Sequence, residues 1–280
     1  MPQVLLKLPC TRPSEIPPSV TDSHAQRYDD YLGPLFFEPY AMDVANLIDP
    51  SVVKNALEIG CGTGRVTRHL SNVLSPDSRL VASDISQDML AVAKEKLRDR
   101  NIEWKIIDAE SLPFETDSMD LVVCYFGYMF VPDKTKAFAE ALRVLRKGGM
   151  LLMATWDTIE SNEASHVFRK TVEKFFGETL PESSKVASSM HDPAANTQTL
   201  QLAGFSKINS SRVAKEMHAE TATSAAQALV KGGSLYDEIL KRNPPWVDEI
   251  ILTVENELSE KYGKAPMIAP ISAIITQGWK

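Results

Sequence analysis

The feature that most constrains the fold is a regular alternation of short apolar runs and amphipathic stretches across residues 54–156. The apolar runs predict strands at 54–60, 79–84, 103–108, 119–126 and 150–156, and the stretches between them predict helices over 63–74, 86–99 and 134–146. Strands that are apolar at nearly every position are typical of a parallel sheet covered by helices on both faces. The alternation therefore predicts an α/β fold with a doubly wound, mostly parallel sheet.

After residue 156 the alternation loosens, and the elements are expected to be longer. We expect helices over 161–177 and within 191–205, a strand within 205–213, a mainly helical stretch over 214–266 and a last strand over 267–279. The two late strands would bring the sheet to seven, with a helical insertion between them.

Single residues indicate where several helices begin and end. Ser86 and Asp192 are expected to cap helices, Gly148 and Gly149 to end the helix over 134–146, and Gly204 to end the helix within 191–205. Residues 23–48 are expected to form one or two helices, broken around Gly33 and Pro34.

The domain organisation follows from these elements. Residues 1–23 are proline-dense and predict a flexible lead-in, and residues 24–280 predict a single domain. Its core would be 50–156, and the segments 24–48, 157–190 and 214–266 are free to cover the carboxyl ends of the strands.

Charge and composition exclude several classes of protein. The formal net charge is −7 and the basic residues are scattered, so the chain lacks the electrostatic footprint of a nucleic-acid-binding protein. The opening MPQVLLKLPC is too short and too interrupted for a signal peptide or a membrane span, so we expect a cytoplasmic protein. Cys10, Cys61 and Cys124 show neither paired spacing nor neighbouring histidines, so we expect no metal site.

The stretch LEIGCGTGRVTRHL at 57–70 ends a strand, turns on three glycines and enters a helix. A P-loop needs a lysine and a hydroxyl residue after its last glycine, but Arg65 and Val66 follow Gly64. A dinucleotide fingerprint needs its third glycine at position 65, where Arg65 stands. The turn therefore fits neither of these phosphate-binding motifs.

Carboxylates follow or end three successive strands beside this turn. Glu58 would repel a pyrophosphate but attract a ligand that carries an ammonium or sulfonium charge, unless it caps local backbone or pairs with Arg65 or Lys54. Asp84 is placed to accept hydrogen bonds from ribose hydroxyls, and Asp108 to accept those of an adenine amino group. Either aspartate alone could instead form a turn or cap.

Together the runs LEIGCGTGRVTRHL, VASDIS, IDAESLPFETDSMDLVVCYFGYMFVPD and AFAEALRVLRKGGMLLMATW resemble the class I S-adenosylmethionine-dependent methyltransferases. They are most similar to the group that includes the ubiquinone and menaquinone biosynthesis enzymes, across residues 50–156. The resemblance implies a Rossmann-like methyltransferase fold, S-adenosylmethionine as cofactor and S-adenosylhomocysteine as product.

The resemblance also implies a role for individual residues. Gly60, Gly62 and Gly64 would shape the loop around the methionine part, with Glu58 and Cys61 in the same turn, and Asp84 would bind the ribose. Ile85 and Met89 would sandwich the adenine, Asp108, Ala109 and Glu110 would lie along its edge, and Cys124 and Tyr125 would lie beside the sulfonium. Tyr28 would approach the cofactor's carboxylate, or serve only as a packing aromatic.

The acceptor and the catalytic residues stay open. Aromatic residues in the covering segments favour an apolar, medium-sized acceptor, although the same residues could simply pack the helices: Phe36, Phe37, Tyr40, Phe168, Phe175, Phe176, Tyr236 and Trp246. Candidate bases or orienting groups are Tyr125, Tyr128, Asp157, His166 and His191, and the sequence selects none of them.

One motif points to another class. NPPW at 243–246 looks like the signature with which amino methyltransferases of DNA, RNA or protein hold a planar nitrogen, but it lies in the late insertion instead of after the fourth strand. We interpret it as a helix boundary. The leading hypothesis is a small-molecule methyltransferase. The alternatives are a non-catalytic cofactor-binding scaffold, a nucleic-acid or protein methyltransferase and, least favoured, an oxidoreductase.

Overall fold

The computed structural model describes residues 23–178, 180 and 182–280. The predicted lead-in therefore lies outside the described residues except for residue 23. A seven-stranded sheet has the order β3-β2-β1-β4-β5-β7-β6. The strands are β1 (Asn55–Ile59), β2 (Arg79–Asp84), β3 (Glu103–Ile106), β4 (Met119–Tyr125), β5 (Leu145–Trp156), β6 (Lys207–Ala219) and β7 (Met267–Trp279).

The first five strands run parallel, and β7 is antiparallel to both of its neighbours, β5 and β6. All seven residues of β4 are buried, as expected for a central strand covered on both faces. The predicted doubly wound, mostly parallel sheet is confirmed.

The α-helices are α1 (His24–Arg27), α2 (Glu38–Ala41), α3 (Arg65–Val73), α4 (Gln87–Lys96), α5 (Lys134–Val144), α6 (Glu163–Phe176), α7 (Pro193–Ala203), α8 (Ala222–Gly232), α9 (Leu235–Arg242) and α10 (Trp246–Tyr262). The predicted caps are confirmed: the Ser86 hydroxyl accepts the Met89 N–H, and the Asp192 carboxylate accepts the Ala194 N–H. Gly204 ends α7 in a left-handed conformation.

Two predicted boundaries are wrong. Helix α5 ends at Val144, and Gly148 and Gly149 lie inside β5. The Gly148 N–H donates to the Lys280 carbonyl, and the Gly149 carbonyl accepts the Lys280 N–H, next to β7. Residues 214–219 are not helical but continue β6, because each of them pairs with a residue of β7. Long-range pairing thus decides both boundaries, and local residue preferences do not reveal it.

The predicted break at Gly33 and Pro34 is also wrong, since helical structure continues from residue 24 to residue 46. Residues Tyr28–Phe37 form a π-helix, in which the wider turn accommodates Pro34, and the Glu38 N–H donates to the Gly33 carbonyl. The absent side chain of Gly33 leaves room for Arg65, whose Nε would lie 2.0 Å from a Cβ at that position. This N-terminal helical segment therefore docks onto α3.

No helix of the described residues combines the length and the apolarity that a membrane span requires.

Candidate functional site

A cavity of about 620 Å³ lies over the carboxyl ends of the parallel strands. Its floor comes from the residues that end or follow β1, β2, β3, β4 and β5. The N-terminal helical segment, α6 and the start of α9 with the loop before it form its cover, through Leu32, Phe168 and Leu235 among others. Ligands of doubly wound folds bind at this edge of the sheet.

One side of the glycine turn faces this cavity, and its other side is buried. Gly60 and Gly62 line the cavity, with φ of 65° and 54° that favour glycine. Gly64 does not line it but caps α3 with φ of 84°, and a Cβ there would lie 3.2 Å from the Cβ of Ala93 in α4. Gly64, which was predicted to shape the loop around the methionine part, thus allows the turn to pack closely on α4.

Asp84 and Asp108 both line the cavity and both also form local turns. The Asp84 carboxylate accepts the N–H groups of Gly62 and Ser86, each at 2.8 Å, and Asp108 accepts the Glu110 N–H at 2.9 Å. A carboxylate oxygen has two lone pairs, so these bonds leave acceptor capacity for a ligand. The turn-forming and ligand-binding interpretations are thus compatible.

The other residues predicted at the adenine end, together with Cys61 of the glycine turn, divide into two groups. Ile85, Met89 and Ala109 line the cavity, and Ile85 is 71% exposed. Cys61 is buried away from the cavity beside Leu90, and Glu110 binds the Asp133 N–H instead. Neither Cys61 nor Glu110 belongs to the cavity lining.

Glu58 lies behind the glycine turn, is 2% exposed and does not line the cavity. Burial raises the pKa of its carboxyl from 4.5 to about 8; the nearby Thr67 hydroxyl opposes this shift and Asp84 adds to it. Its Oε2 atom is buried without a hydrogen-bond partner, and Arg65 pairs with Asp29 and Glu38 instead. The carboxyl of Glu58 therefore favours its protonated form near neutral pH in the protein alone, and a nearby cation would favour the charged form.

This pKa shift predicts a pH-dependent stability that Glu58→Gln should remove. The folded protein keeps its proton up to about pH 8 and the unfolded chain loses it near pH 4.5, so stability should fall as the pH rises between these values. From pH 5 to pH 8, we expect the wild type to lose roughly 2–4 kcal/mol of unfolding free energy relative to the variant. Urea unfolding of both proteins at the two pH values measures this, and equal pH dependence of the two would contradict it.

Aromatic residues line the other half of the cavity. Phe126 and Trp156 are stacked, with ring centroids 4.0 Å apart and an interplanar angle of 20°, and Phe37 stands at a steep angle to both. Phe126 has φ of 58°, a strained conformation for a bulky side chain that costs about 1–3 kcal/mol. Tyr28 packs on Phe37 with ring centroids 4.9 Å apart, and Cys124 and Tyr125 line the cavity below them.

The candidate bases are not brought together. Tyr128 is fully buried against Phe138, and Asp157 is buried where it accepts the Thr158 N–H and the Ser272 hydroxyl. His166 and His191 line a second cavity of about 640 Å³ beside α6. Only Tyr125 of the five lines the first cavity, and burial raises the pKa of its hydroxyl far above neutral pH.

The NPPW motif is a helix boundary, as interpreted from the sequence. Asn243 caps the end of α9, Pro245 caps the start of α10, and none of the four residues lines the first cavity. Trp246 packs against Phe175 and Phe176.

The sequence analysis missed several residues of this site: His24, Phe126, Trp156, Gly233, Ser234 and Leu235. The position of Phe126 and Trp156 at the ends of predicted strands was a signal that could have found them. No comparable signal marks the loop at 233–235, which lies far from the strand ends in the chain. Among the residues that the structure describes, no group of histidine, cysteine and acidic side chains could hold a metal ion.

Comparisons with known proteins agree with this geometry. A family described as a methyltransferase domain matches residues 57–153. The ubiquinone/menaquinone biosynthesis C-methyltransferase UbiE of Idiomarina loihiensis is 31% identical over 180 residues, which cover 62% of this chain and 70% of the relative. The enzyme of the same name from Shewanella halifaxensis is 30% identical over 172 residues, covering 55% and 66%. The match to the one from Stutzerimonas stutzeri covers only 51% of that relative.

Solved structures show the same fold. The YcgJ protein of Bacillus subtilis superposes with a TM-score of 0.56 at 18% identity and covers 86% of this chain and 98% of its own. Phosphoethanolamine N-methyltransferase 2 of Haemonchus contortus, solved with S-adenosyl-L-methionine, has a TM-score of 0.56 at 16% identity and covers 93% and 57%.

The sheet order and the solved structures show the fold of the class I S-adenosylmethionine-dependent methyltransferases, and the relatives support that class. Within that class, the chain belongs to the methyltransferase family that includes the ubiquinone/menaquinone biosynthesis C-methyltransferases. The family's cofactor is S-adenosylmethionine. The aligned part of the chain spans from about half to 70% of the length of the relatives described above.

Proposed function

We propose that this protein transfers the methyl group of S-adenosylmethionine to an uncharged, largely apolar small molecule. The observation that carries the proposal is a single cavity with two unlike halves. One half has the glycine turn and two carboxylates, and the other has stacked aromatic rings. A cofactor and an acceptor can therefore lie side by side in one enclosure.

The residues at the polar half fit the cofactor. The backbone of Gly60 and Gly62 allows close approach of the methionine part, and Asp84 is free to accept the ribose hydroxyls. The buried, unpartnered Oε2 of Glu58 suits a positively charged group nearby. Ile85 and Met89 would cover the adenine, and Asp108 and Ala109 would hold its edge. Cys124 and Tyr125 would line the space near the sulfur, and Tyr28 would approach the cofactor's carboxylate.

Methyl transfer requires little from the protein beyond the positioning of the two reactants. When bound, the cofactor supplies an electrophilic methyl group, and the protein's task is to align the acceptor atom with it and to exclude water. The aromatic walls do both. Burial raises the pKa of the Tyr28 and Tyr125 hydroxyls and of the Cys124 thiol, so these groups stay protonated at neutral pH and do not act as bases there.

The open cavity also bears on the alternatives. A non-catalytic scaffold would be favoured if the chain's own side chains filled the space over the strand ends, and here that space measures about 620 Å³. A nucleic-acid or protein methyltransferase loses its main support, because the NPPW motif forms a helix boundary.

A cytoplasmic location and a single domain over 24–280, with 50–156 as cofactor-binding core, remain part of the proposal.

A transfer assay tests the function. Incubation of the protein with methyl-labelled S-adenosylmethionine and a fractionated metabolite extract should label a small, organic-soluble compound. The Asp84→Asn variant, in which the side chain keeps its shape and loses its charge, should label little of it. Label that appears only in nucleic acid or protein, or no label at all, would contradict the proposal.

A further inference from the structure

The second cavity, of about 640 Å³ beside α6, is separate from the proposed methyl-transfer site. Three parts of the chain form its walls: the loop after β5, through Thr158 and Glu160, one face of α6, and the 3₁₀ helix Glu182–Ser188 with the turn that follows it. A cavity of this volume is large enough for a small molecule.

The charge of this lining differs from that of the chain, which carries a formal net charge of −7. The described lining residues that carry or can gain a positive charge are His166, Arg169, Lys170, Lys185 and His191. Its described acidic residues are Glu160 and Glu173. By contrast, no lysine or arginine of the described residues lines the first cavity. An anion would therefore be attracted to the second cavity rather than to the first.

One of the two acidic charges is already engaged within the wall. A carboxylate oxygen of Glu173 lies 3.5 Å from the Nε of Arg169 and accepts the Leu180 N–H at 3.4 Å. Lys170 lies on the same face of α6, three residues before Glu173, and forms no ion pair with any residue that the structure describes. Its ammonium group can therefore donate hydrogen bonds to a ligand.

Uncharged donors complete the set. The Nδ1 atom of His191 lies 2.8 Å from the Ser188 carbonyl oxygen, and since a carbonyl only accepts, the proton of the neutral ring is on Nδ1. The Nε2 atom can then accept a P–OH group, or donate to a phosphate oxygen when the ring is protonated. The hydroxyls of Ser188 and Ser189 lie in the same lining. Ammonium, imidazole and hydroxyl groups around one space suit a phosphate group.

Each wall of the second cavity also contributes a residue to the lining of the first. Trp156 ends β5 two residues before Thr158, Phe168 belongs to α6, and Ala187 belongs to the 3₁₀ helix Glu182–Ser188. A ligand in the second cavity would therefore contact the same three elements that hold these residues. Because packed elements transmit small shifts, the two cavities are mechanically connected.

We propose that the second cavity binds a small phosphate-bearing molecule, and that its occupancy shifts the wall of the first cavity through the three shared elements. The proposal goes beyond the proposed function and does not depend on it, because the second cavity shares no lining residue with the first. Coupling of this kind is reciprocal, so a ligand in the first cavity would change the affinity of the second by the same factor.

Calorimetric titration of the full chain tests the binding site. We expect pyrophosphate to bind with a dissociation constant below about 1 mM, glycerol 3-phosphate to bind more weakly, and glycerol to give no heat. Lys170→Gln should weaken pyrophosphate binding by about 5- to 10-fold, because a charge-assisted hydrogen bond is lost. Lys174→Gln is the matched control: it removes the same charge from α6 outside the cavity and should change the affinity by less than about 2-fold.

Vesicles distinguish a soluble ligand from the headgroup of a phospholipid, which has the same phosphate chemistry. We expect the wild-type chain not to sediment with phosphatidylcholine vesicles, with or without phosphatidic acid, because the site is a cavity for a small molecule. Sedimentation with the phosphatidic acid vesicles, together with no heat from pyrophosphate, would overturn the proposal in favour of a membrane surface.

The side chain of Trp156 reports on the coupling. In protein labelled with fluorotryptophan, saturating pyrophosphate should shift the fluorine resonance of Trp156, which is assigned by its absence in Trp156→Phe. The resonance of Trp104, in β3 at the edge of the sheet, should stay in place. The shift should follow the same dissociation constant as the heat of binding and should need higher pyrophosphate concentrations in Lys170→Gln.

The outcomes separate the two parts of the proposal. No heat from pyrophosphate, or equal affinities of the wild type and Lys170→Gln, would refute the binding site. Binding that depends on Lys170 but leaves the Trp156 resonance unmoved would support the site and refute the coupling. Binding of S-adenosylhomocysteine is measured separately, so the proposed function stands or fails on its own result.

Discussion

Replacing Asp84 with alanine is expected to weaken the binding of S-adenosylhomocysteine by at least about 100-fold, because two hydrogen bonds to a charged group are lost. Asp84 lines the cavity and is the proposed partner of the ribose hydroxyls. It also accepts the Gly62 N–H at 2.8 Å, so its removal loosens the turn that faces the methionine part. Calorimetric titration measures both contributions together.

Two variants separate the charge of Asp84 from other effects. Asp84→Asn keeps one acceptor oxygen and should bind with an affinity between those of the wild type and the alanine variant. Asp88→Ala removes the same charge from an exposed position in the first turn of α4, outside the cavity, and should bind as the wild type does. Equal losses in Asp84→Ala and Asp88→Ala would show that Asp84 does not contact the cofactor.

The second large effect concerns the attachment of the N-terminal helical segment. Asp29 is 5% exposed and accepts hydrogen bonds from Lys96 at 2.7 Å and from the Thr63 hydroxyl at 2.6 Å, while the Arg65 Nε lies 3.3 Å away. Asp29→Ala removes the partner of two cations and should destabilise the fold by about 2–4 kcal/mol, somewhat less than a fully buried pair because Lys96 is part-exposed. Urea unfolding measures the loss.

The neighbouring Asp30 provides the control. It is exposed and bonded only to Gln26 among the described contacts, so Asp30→Ala should change the unfolding free energy by no more than about 0.5 kcal/mol. If the two alanine variants unfold alike, the ion-pair cluster around Asp29 contributes nothing to the attachment of the segment.

Much of the polar half of the site was predictable because its residues are local to strand ends. Asp84 and Asp108 were placed by the apolar runs before them, and parallel strands bring their carboxyl ends to one edge of the sheet. The same reasoning placed Gly60, Gly62 and Ala109. The spacing of the apolar residues, together with the residues at which each run ends, is enough to place such residues.

What the sequence did not reveal depends on contacts between distant parts of the chain. From the sequence, Arg65 was expected only to break a fingerprint or to pair with Glu58. In the structure it lies against the backbone of Gly33, which has no side chain, and bonds to Asp29 and Glu38. The raised pKa of the Glu58 carboxyl follows from its complete burial, and none of its neighbours in the sequence indicates that burial. The left-handed backbone of Phe126 likewise reflects its stacking and sheet contacts rather than its residue type.

The central claim is that the cavity over the strand ends binds S-adenosylmethionine beside the glycine turn. Calorimetry of the wild-type chain with S-adenosylmethionine, S-adenosylhomocysteine and NAD tests it most directly. The account predicts one site for each of the first two ligands, with dissociation constants well below about 1 mM, and no heat with NAD. Binding of NAD, or no binding of either adenosyl compound at millimolar concentration, would contradict it.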